Sequence, residues 1–170
     1  DGVVFKFDQN LTNIQFSSYF GGSKDDAIYS LDLDFNGDIY IGGGTNSQNI
    51  LTTGGVYQPL SQGGTADGFF AHISSNGTTL IKSSYFGSTL YDQVFFIRVD
   101  KSLNVYLIGQ TKAPRSTFIF NAVYGTPNSG QFITKFPNNL STPIWSTVFG
   151  TGIGKPNISI TAFSVDYCNR

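Results

Sequence analysis

The sequence predicts an all-β fold built from a four-stranded antiparallel unit that repeats along the chain. Three observations carry this. Ser17-Ser18-Tyr19-Phe20-Gly21 returns 66 residues later as Ser83-Ser84-Tyr85-Phe86-Gly87, and 63 residues after that, in weaker form, as Ser146-Thr147-Val148-Phe149-Gly150. A fixed period of this length marks an array of one supersecondary unit. Aromatics make up 15% of the chain, glycines number 20, and charged residues reach only 12%, about half the usual share. With abundant Ser, Thr and Asn, this composition suits strands joined by tight turns. Finally, apolar residues recur with a period of two and nowhere with the 3.6-residue period of a helix.

The elements follow in order. Residues 1–7 read as a strand, and a polar turn through Asn10 leads to a second strand over 13–20 that stops at Gly21-Gly22. Residues 27–34 alternate, with Tyr29, Leu31 and Leu33 on one face and Ile28, Ser30, Asp32 and Asp34 on the other. Asn36-Gly37 is a turn signal, because both residues tolerate positive φ. The return strand 38–44 ends in Gly42-Gly43-Gly44. Residues 45–66 read as a polar surface excursion with a short edge segment near Val56-Tyr57. Strands over 68–74 and 79–86 flank the Asn76-Gly77 turn.

The pattern then starts again. From 17–45 to 83–111 the register needs no gap, and ten of those 29 positions are identical, among them Asp26, Asp34, Tyr40, Gly43 and Thr45. Strands over 93–100, 105–107, 132–136 and 144–149 complete the second copy. A third copy opens at Gly150 and is expected to form its first strand over 160–166. With the four strands called a (27–34), b (38–44), c (68–74) and d (79–86), the chain reads c-d, a-b-c-d, a-b-c-d, a.

Four-stranded antiparallel units in series are expected to be β-propeller blades, which bury both faces on their neighbours and leave only short edges. The expected divisions are a partial blade over 1–20, blades over 21–87 and 88–150, and the start of a further blade over 151–170. Two full blades cannot close a ring, since closure takes about four or more. The chain is therefore expected to be an incomplete ring, a segment of a larger propeller whose last strand continues beyond Arg170.

Composition also excludes function classes. The net charge is -1, and the ten Lys and Arg are scattered, so no basic patch serves nucleic acid or an anionic membrane. No apolar run approaches the ~20 residues that span a bilayer. The lone cysteine, Cys168, permits no internal disulfide. The chain carries no Met, which points to processing before Asp1 or to a piece of a longer protein.

Several motifs together carry a family resemblance: Ser17-Ser18-Tyr19-Phe20-Gly21-Gly22, Asp25-Asp26, Leu33-Asp34, Gly37-Asp38-Ile39-Tyr40-Ile41-Gly42, Thr45, Leu51-Thr52-Thr53, Val56-Tyr57-Gln58 and Asp67-Gly68-Phe69. In this series the chain resembles the bacterial seven-bladed β-propeller repeat family through two copies. The resemblance implies an exported or surface-attached protein, often part of a large multidomain chain linked to adhesion, gliding motility or cell-surface scaffolding. It implies no single enzymatic activity. Leu103 stands where the first copy has its turn glycine, and Cys168-Asn169 departs from the pattern in the third copy.

In a repeat protein, residues present in every copy build the repeat, and those that break it are the better functional candidates. Asp34, Asp100 and Asp166 recur, and are expected to accept backbone N–H bonds in the a–b turn. Asp26 and Asp92 recur as well, and are expected to make a turn or blade-to-blade bond. The run Asp32-Leu33-Asp34-Phe35-Asn36-Gly37-Asp38 imitates the start of a calcium loop, but Gly43 stands where a bidentate Glu is required. Calcium is thus the one cofactor the pattern invites; no other is expected.

Asp32 breaks the repeat, with Arg98 and Ser164 as counterparts, and a polar contact between Asp32 and Arg98 near the central channel is expected. Trp145 falls in the column of Phe16 and Lys82, where it is either packed or a platform for sugar rings. Asp32, Arg98 and Trp145 are the candidate interaction residues; no catalytic set is expected. His72, the only histidine, replaces Lys6 and Lys135 of its column and is expected to face solvent. One His and one Cys far apart in the repeat cannot make a Cys/His metal site or a nucleophile pair. The glycine-rich stretches precede no helix, which excludes a phosphate loop. Asn10, Asn76, Asn139 and Asn157 begin Asn-x-Ser/Thr triplets, the first three in the same c–d turn, where turn chemistry accounts for them.

The function expected is that of a non-enzymatic, extracellular or cell-surface propeller segment. It would act as a scaffold or a protein-interaction and adhesion module, with further blades of the same parent chain or other surface proteins as partners. The alternative is a carbohydrate-binding or carbohydrate-active propeller, for which glycans would be the partners. Neither nucleic acid nor membrane insertion is expected.

Overall fold

The computed structural model describes residues 1–113 and 117–166. Its strands are β1 (Gly2–Phe7), β2 (Ile14–Phe20), β3 (Asp26–Leu33), β4 (Ile39–Thr45), β5 (Asp67–Ile73), β6 (Leu80–Phe86), β7 (Asp92–Val99), β8 (Val105–Thr111), β9 (Gln131–Phe136) and β10 (Trp145–Phe149). They form an antiparallel pair, β1-β2, and two four-stranded antiparallel sheets ordered β3-β4-β5-β6 and β7-β8-β9-β10. No helix occurs among the described residues. The all-β architecture of four-stranded blades in series is the one the repeat predicts.

The repeat extends to irregularities. β3 pairs with β4 with a register shift between Ile28 and Ser30, and β7 pairs with β8 with the same shift between Val94 and Phe96. The extra residue, Tyr29 or Phe95, is a bulge that bends the inner strand. Opposite it sits a glycine common to both copies. A Cβ on Gly43 would lie 1.9 Å from the Ala27 carbonyl oxygen, and one on Gly109 1.9 Å from that of Gln93. No side chain fits there, which is why the residue is identical in both blades.

The turns repeat as well. In the a–b turns Gly37 has φ 80° and Leu103 φ 61°; in the c–d turns Leu11, Gly77 and Leu140 have φ 58°, 73° and 54°. Asp34 Oδ1 accepts the N–H groups of Asn36 and Asp38, and Asp100 Oδ1 those of Ser102 and Asn104. The expected turn role of Asp34 and Asp100 is therefore what the backbone uses them for. Asn76 and Asn139 bond likewise within their own turns, to Thr78 and Ser141. At the hinge into each blade, Asp26 Oδ2 accepts from Gly22 N–H and Asp92 Oδ2 from Ser88 N–H.

Blade faces make two cores. Along β4 and β5 successive side chains point to opposite faces, and both faces are buried. Ile39, Ile41, Phe69, Ala71, Ile73 and Tyr85 pack back onto Val4 and Phe20 of the β1-β2 pair. Tyr40, Phe70 and Phe86 pack forward onto Val105, Leu107, Phe132, Phe136 and Val148 of the second blade.

Three expectations are corrected. Residues 160–166, expected as the first strand of a third copy, form no strand. An inner strand needs a b strand to complete its ladder, and none follows within the described residues. The 45–66 connection is not a free excursion: Ser47, Ile50 and Gln58 are buried. Tyr85 donates its hydroxyl to Ser47 O and accepts from Ile50 N–H, while Thr53 N–H and Gln58 O bond to the backbone of β6. The second connection does the same to β10 through Phe120 and Thr126. β6 and β10 thus each have an extra backbone neighbour, because an open edge would otherwise leave their N–H and C=O groups unpaired. His72 does not face solvent but lies largely buried against Tyr40 and Asp38. Cys168 and Asn169 lie outside the described residues.

Candidate functional site

The repeat supplies its own measure of which surfaces lack a partner. Tyr19 and Tyr85 occupy the same repeat position, yet Tyr19 is 77% exposed and Tyr85 1%. Val3, Phe5 and Phe7 of β1 are exposed, whereas their counterparts Phe69, Ala71 and Ile73 are buried. On the inner strand, Tyr29, Leu31 and Leu33 are exposed; Ile97, the counterpart of Leu31, is fully buried against Gly42 of the preceding blade. The leading face of the molecule is therefore an apolar surface whose equivalents one repeat later are core. Exposed apolar residues on the outer face of β1-β2 and on the part of the first blade's back face that β1-β2 leaves uncovered mark interaction surface.

The candidates that break the repeat lie elsewhere. Asp32 Oδ2 accepts from Val99 N–H at 2.8 Å, reaching from the first inner strand to the second. Arg98 reaches back, Nη1 donating to Ser30 Oγ at 3.3 Å and to Ile97 O at 2.6 Å. The two residues thus cross the same seam between β3 and β7, but each bonds to another group rather than to the other. The expected direct contact is replaced by two bonds that staple neighbouring inner strands. A backbone N–H one residue beyond Arg98 is the nearer donor for a short Asp side chain. Trp145 stands opposite Lys135 in the β9-β10 pairing, half-buried and edge-on to Tyr106 at 6.3 Å. The calcium-loop pattern loses its first ligand, since Asp32 turns away to Val99 N–H, and Gly43 offers no carboxylate where the loop needs a bidentate Glu.

Sequence reading missed a cluster at the turn end of the first blade. The b strand brings Tyr40 beside His72 of the c strand, ring centroids 4.2 Å apart and stacked. His72 Nε2 lies 3.2 Å from Asp38 Oδ2. Atoms of Asp34, Asp38 and His72 able to bind a metal all lie within 4.8 Å of one another. The Tyr40 hydroxyl is buried without a hydrogen-bond partner, and burial, followed by the charges of Asp34 and Asp38, pushes its pKa well up. In the second blade the same positions hold Asp100, Asn104, Tyr106 and Lys135. There Tyr106 donates to Asp100 Oδ2 at 3.1 Å, and Lys135 Nζ sits 3.7 Å from that oxygen and 4.9 Å from the Tyr106 ring centroid. Burial works to raise the Asp100 carboxyl, but the bonds from Asn104, Tyr106 and Ser102 outweigh it and hold the pKa low. The signal in the sequence was the change from lysine to histidine in the His72 column together with Asp38 in place of Asn104.

A second pair of acids lies at the hinge between the blades. Burial raises Asp67 to about 6, with the charge of Asp92 adding to it against the bond from Ser61. Asp92 is raised as well, chiefly by burial.

A family model described as a β-propeller repeat matches residues 15–51, a stretch running from β2 through β3 and β4 into the connection that follows. No curated protein matches the chain.

Proposed function

We propose that the chain is a non-enzymatic segment of a β-propeller in a larger bacterial surface protein, where it serves as scaffold and interaction module outside the cell. The observation that carries this reading is the leading apolar face. Val3, Phe5, Phe7 and Tyr19 repeat residues that are core one blade later, so the surface is shaped for another blade. Neither repeat-breaking candidate on the inner strands is poised for chemistry, since Asp32 and Arg98 are spent on inter-strand bonds. Low charge and a turn-rich polar surface suit an exported protein.

The test is to complete the leading blade. Prefixing the chain with a second copy of residues 21–66 supplies strands a and b and the connection to c. The extended protein is expected to melt several degrees higher and to bind less of a hydrophobic dye. An unchanged melting temperature and unchanged dye binding would overturn the reading. Labelling the parent protein on intact cells with an impermeant reagent tests the location.

A second reading, glycan binding, draws on a cleft of about 310 Å³ where the a–b turns meet, lined by Phe35, Asp34, Asp100, Lys101 and Asp166. Acids from three copies and one exposed aromatic at one mouth are the groups a sugar would use. Binding on a glycan array that is lost in Phe35→Ala would favour it.

A further inference from the structure

The first blade lacks the cation that the second blade carries. In the second, one carboxylate, Asp100, is matched by one ammonium, Lys135, and satisfied by the Tyr106 hydroxyl. In the first, the ammonium is replaced by the imidazole of His72 and the neutral Asn104 by a second carboxylate, Asp38. Two carboxylates and an imidazole now share a half-buried space that holds no lysine. A separate feature points the same way. Tyr40 is 0% exposed and its hydroxyl has no partner, although its ring lies flat on His72 and its repeat counterpart is bonded to the equivalent Asp. Buried hydroxyls in native proteins are nearly always paired, with protein, ordered water or a bound ion, and this one sits among two acids and an imidazole.

We propose that Asp34, Asp38 and His72 bind a first-row transition-metal dication of the zinc type, with the Tyr40 hydroxyl supporting the site from the buried side. One imidazole and two carboxylates are a nitrogen-and-oxygen donor set that suits Zn²⁺. Ca²⁺ prefers six or more oxygens and has no use for the imidazole. Outer bonds already orient two of the ligands: Asp34 Oδ1 is held by Asn36 and Asp38 N–H, and Asp38 Oδ1 by Ser75 N–H. Such bonds tune metal sites by fixing ligand direction. The metal would occupy the role that the Lys135 ammonium fills one repeat later, which makes the site a structural one that ties the a–b turn to strand c.

The experiment titrates the 170-residue chain with ZnCl₂ by calorimetry and follows melting with ZnCl₂, CaCl₂ or EDTA. One equivalent of Zn²⁺ is expected to bind and to raise the melting temperature, EDTA to reverse the rise, and CaCl₂ to leave it unmoved. His72→Lys, which recreates the arrangement of the second blade, is expected to fold, to melt no lower than the metal-free chain and to lose the zinc response. Asp38→Asn should weaken binding by more than the ~10–100-fold that an outer-shell change costs, and Tyr40→Phe by about 10-fold. Cys168→Ser should leave binding intact. Co²⁺ in place of Zn²⁺ should give visible d–d bands that vanish in His72→Lys. The proposal is overturned if Zn²⁺ does not shift the melt, if His72→Lys binds as tightly as the native chain, or if the response disappears with Cys168→Ser.

Discussion

Three leucines hold the backbone in the left-handed region, and their surroundings decide what each contributes. Leu103 (φ 61°) and Leu11 (φ 58°) sit where the other copy has a glycine. Left-handed backbone costs an L-residue about 1–2 kcal/mol, and glycine returns part of that as chain entropy. Leu103→Gly and Leu11→Gly are each expected to stabilise by about 0.5–1 kcal/mol, read as a rise in denaturant midpoint. Leu140 (φ 54°) is fully buried in the core between the blades. There the lost packing, about 2–4 kcal/mol, exceeds the strain relieved, so Leu140→Gly should destabilise. Acids at this scale set the pH response. Asp67 is raised by burial to about 6, above its value near ~4 in an unfolded chain. The folded state holds a proton across that window, so this group's contribution favours folding below about 4 and is lost as pH rises through about 6. Melting temperature should therefore gain from this group as pH is lowered from about 6.5 to about 4, and Asp67→Asn should remove that gain. An unchanged slope in that variant would assign the response to another group. Asp8, held at about 2 first by the Asn13 side chain, acts in the opposite sense and only in stronger acid.

At the scale of the element, the long connections behave as part of the sheet. Tyr85 holds the first connection by two bonds, from its hydroxyl to Ser47 O at 3.1 Å and from Ile50 N–H at 3.0 Å. Tyr85→Phe keeps the ring in its core but leaves both backbone groups without their partner. A cost of about 1–3 kcal/mol is expected, with faster amide exchange confined to residues 46–50. Uniform acceleration across the blade would instead mean that the tyrosine serves the core alone. The sequence marked strands b, c and d closely, because each is a short apolar run closed by turn residues. In the first blade only their ends moved, by about a residue, as strand ends do, while β8 runs four residues past the Leu107 expected in the second copy. Of the first connection the sequence marked only the short edge segment near Val56-Tyr57, beside the bond from Tyr85 N–H to Gln58 O, since the rest of 45–66 has no alternation to read. The order of the connections comes from an edge that needs covering.

At the scale of the whole molecule, the two tyrosines of the repeat are the sharpest probe. Tyr85→Ala should cost about 3–5 kcal/mol, as large-to-small changes in a core do. Tyr19→Ala, at an exposed site, should lie within about 0.5 kcal/mol. Once the leading blade is completed by the 21–66 prefix, Tyr19→Ala should become costly too. Equal, small effects in both proteins would mean that nothing packs on this face.

What the sequence by itself determined is the periodic part: an all-β chain, four strands to a unit, antiparallel order and turns at Asp34, Asp100 and Asn76. These follow from local rules of alternation and turn chemistry that every copy obeys. What only the tertiary structure decided is where copies differ. It sent Asp32 to the backbone of Val99 rather than to Arg98, because inner strands of neighbouring blades meet at a seam that no spacing reveals. It buried His72 under Tyr40, because the forward face of one blade is the core of the next. The cluster of Asp34, Asp38, Tyr40 and His72 draws on one turn and two strands up to 38 residues apart, and only the pairing of those strands brings its groups together.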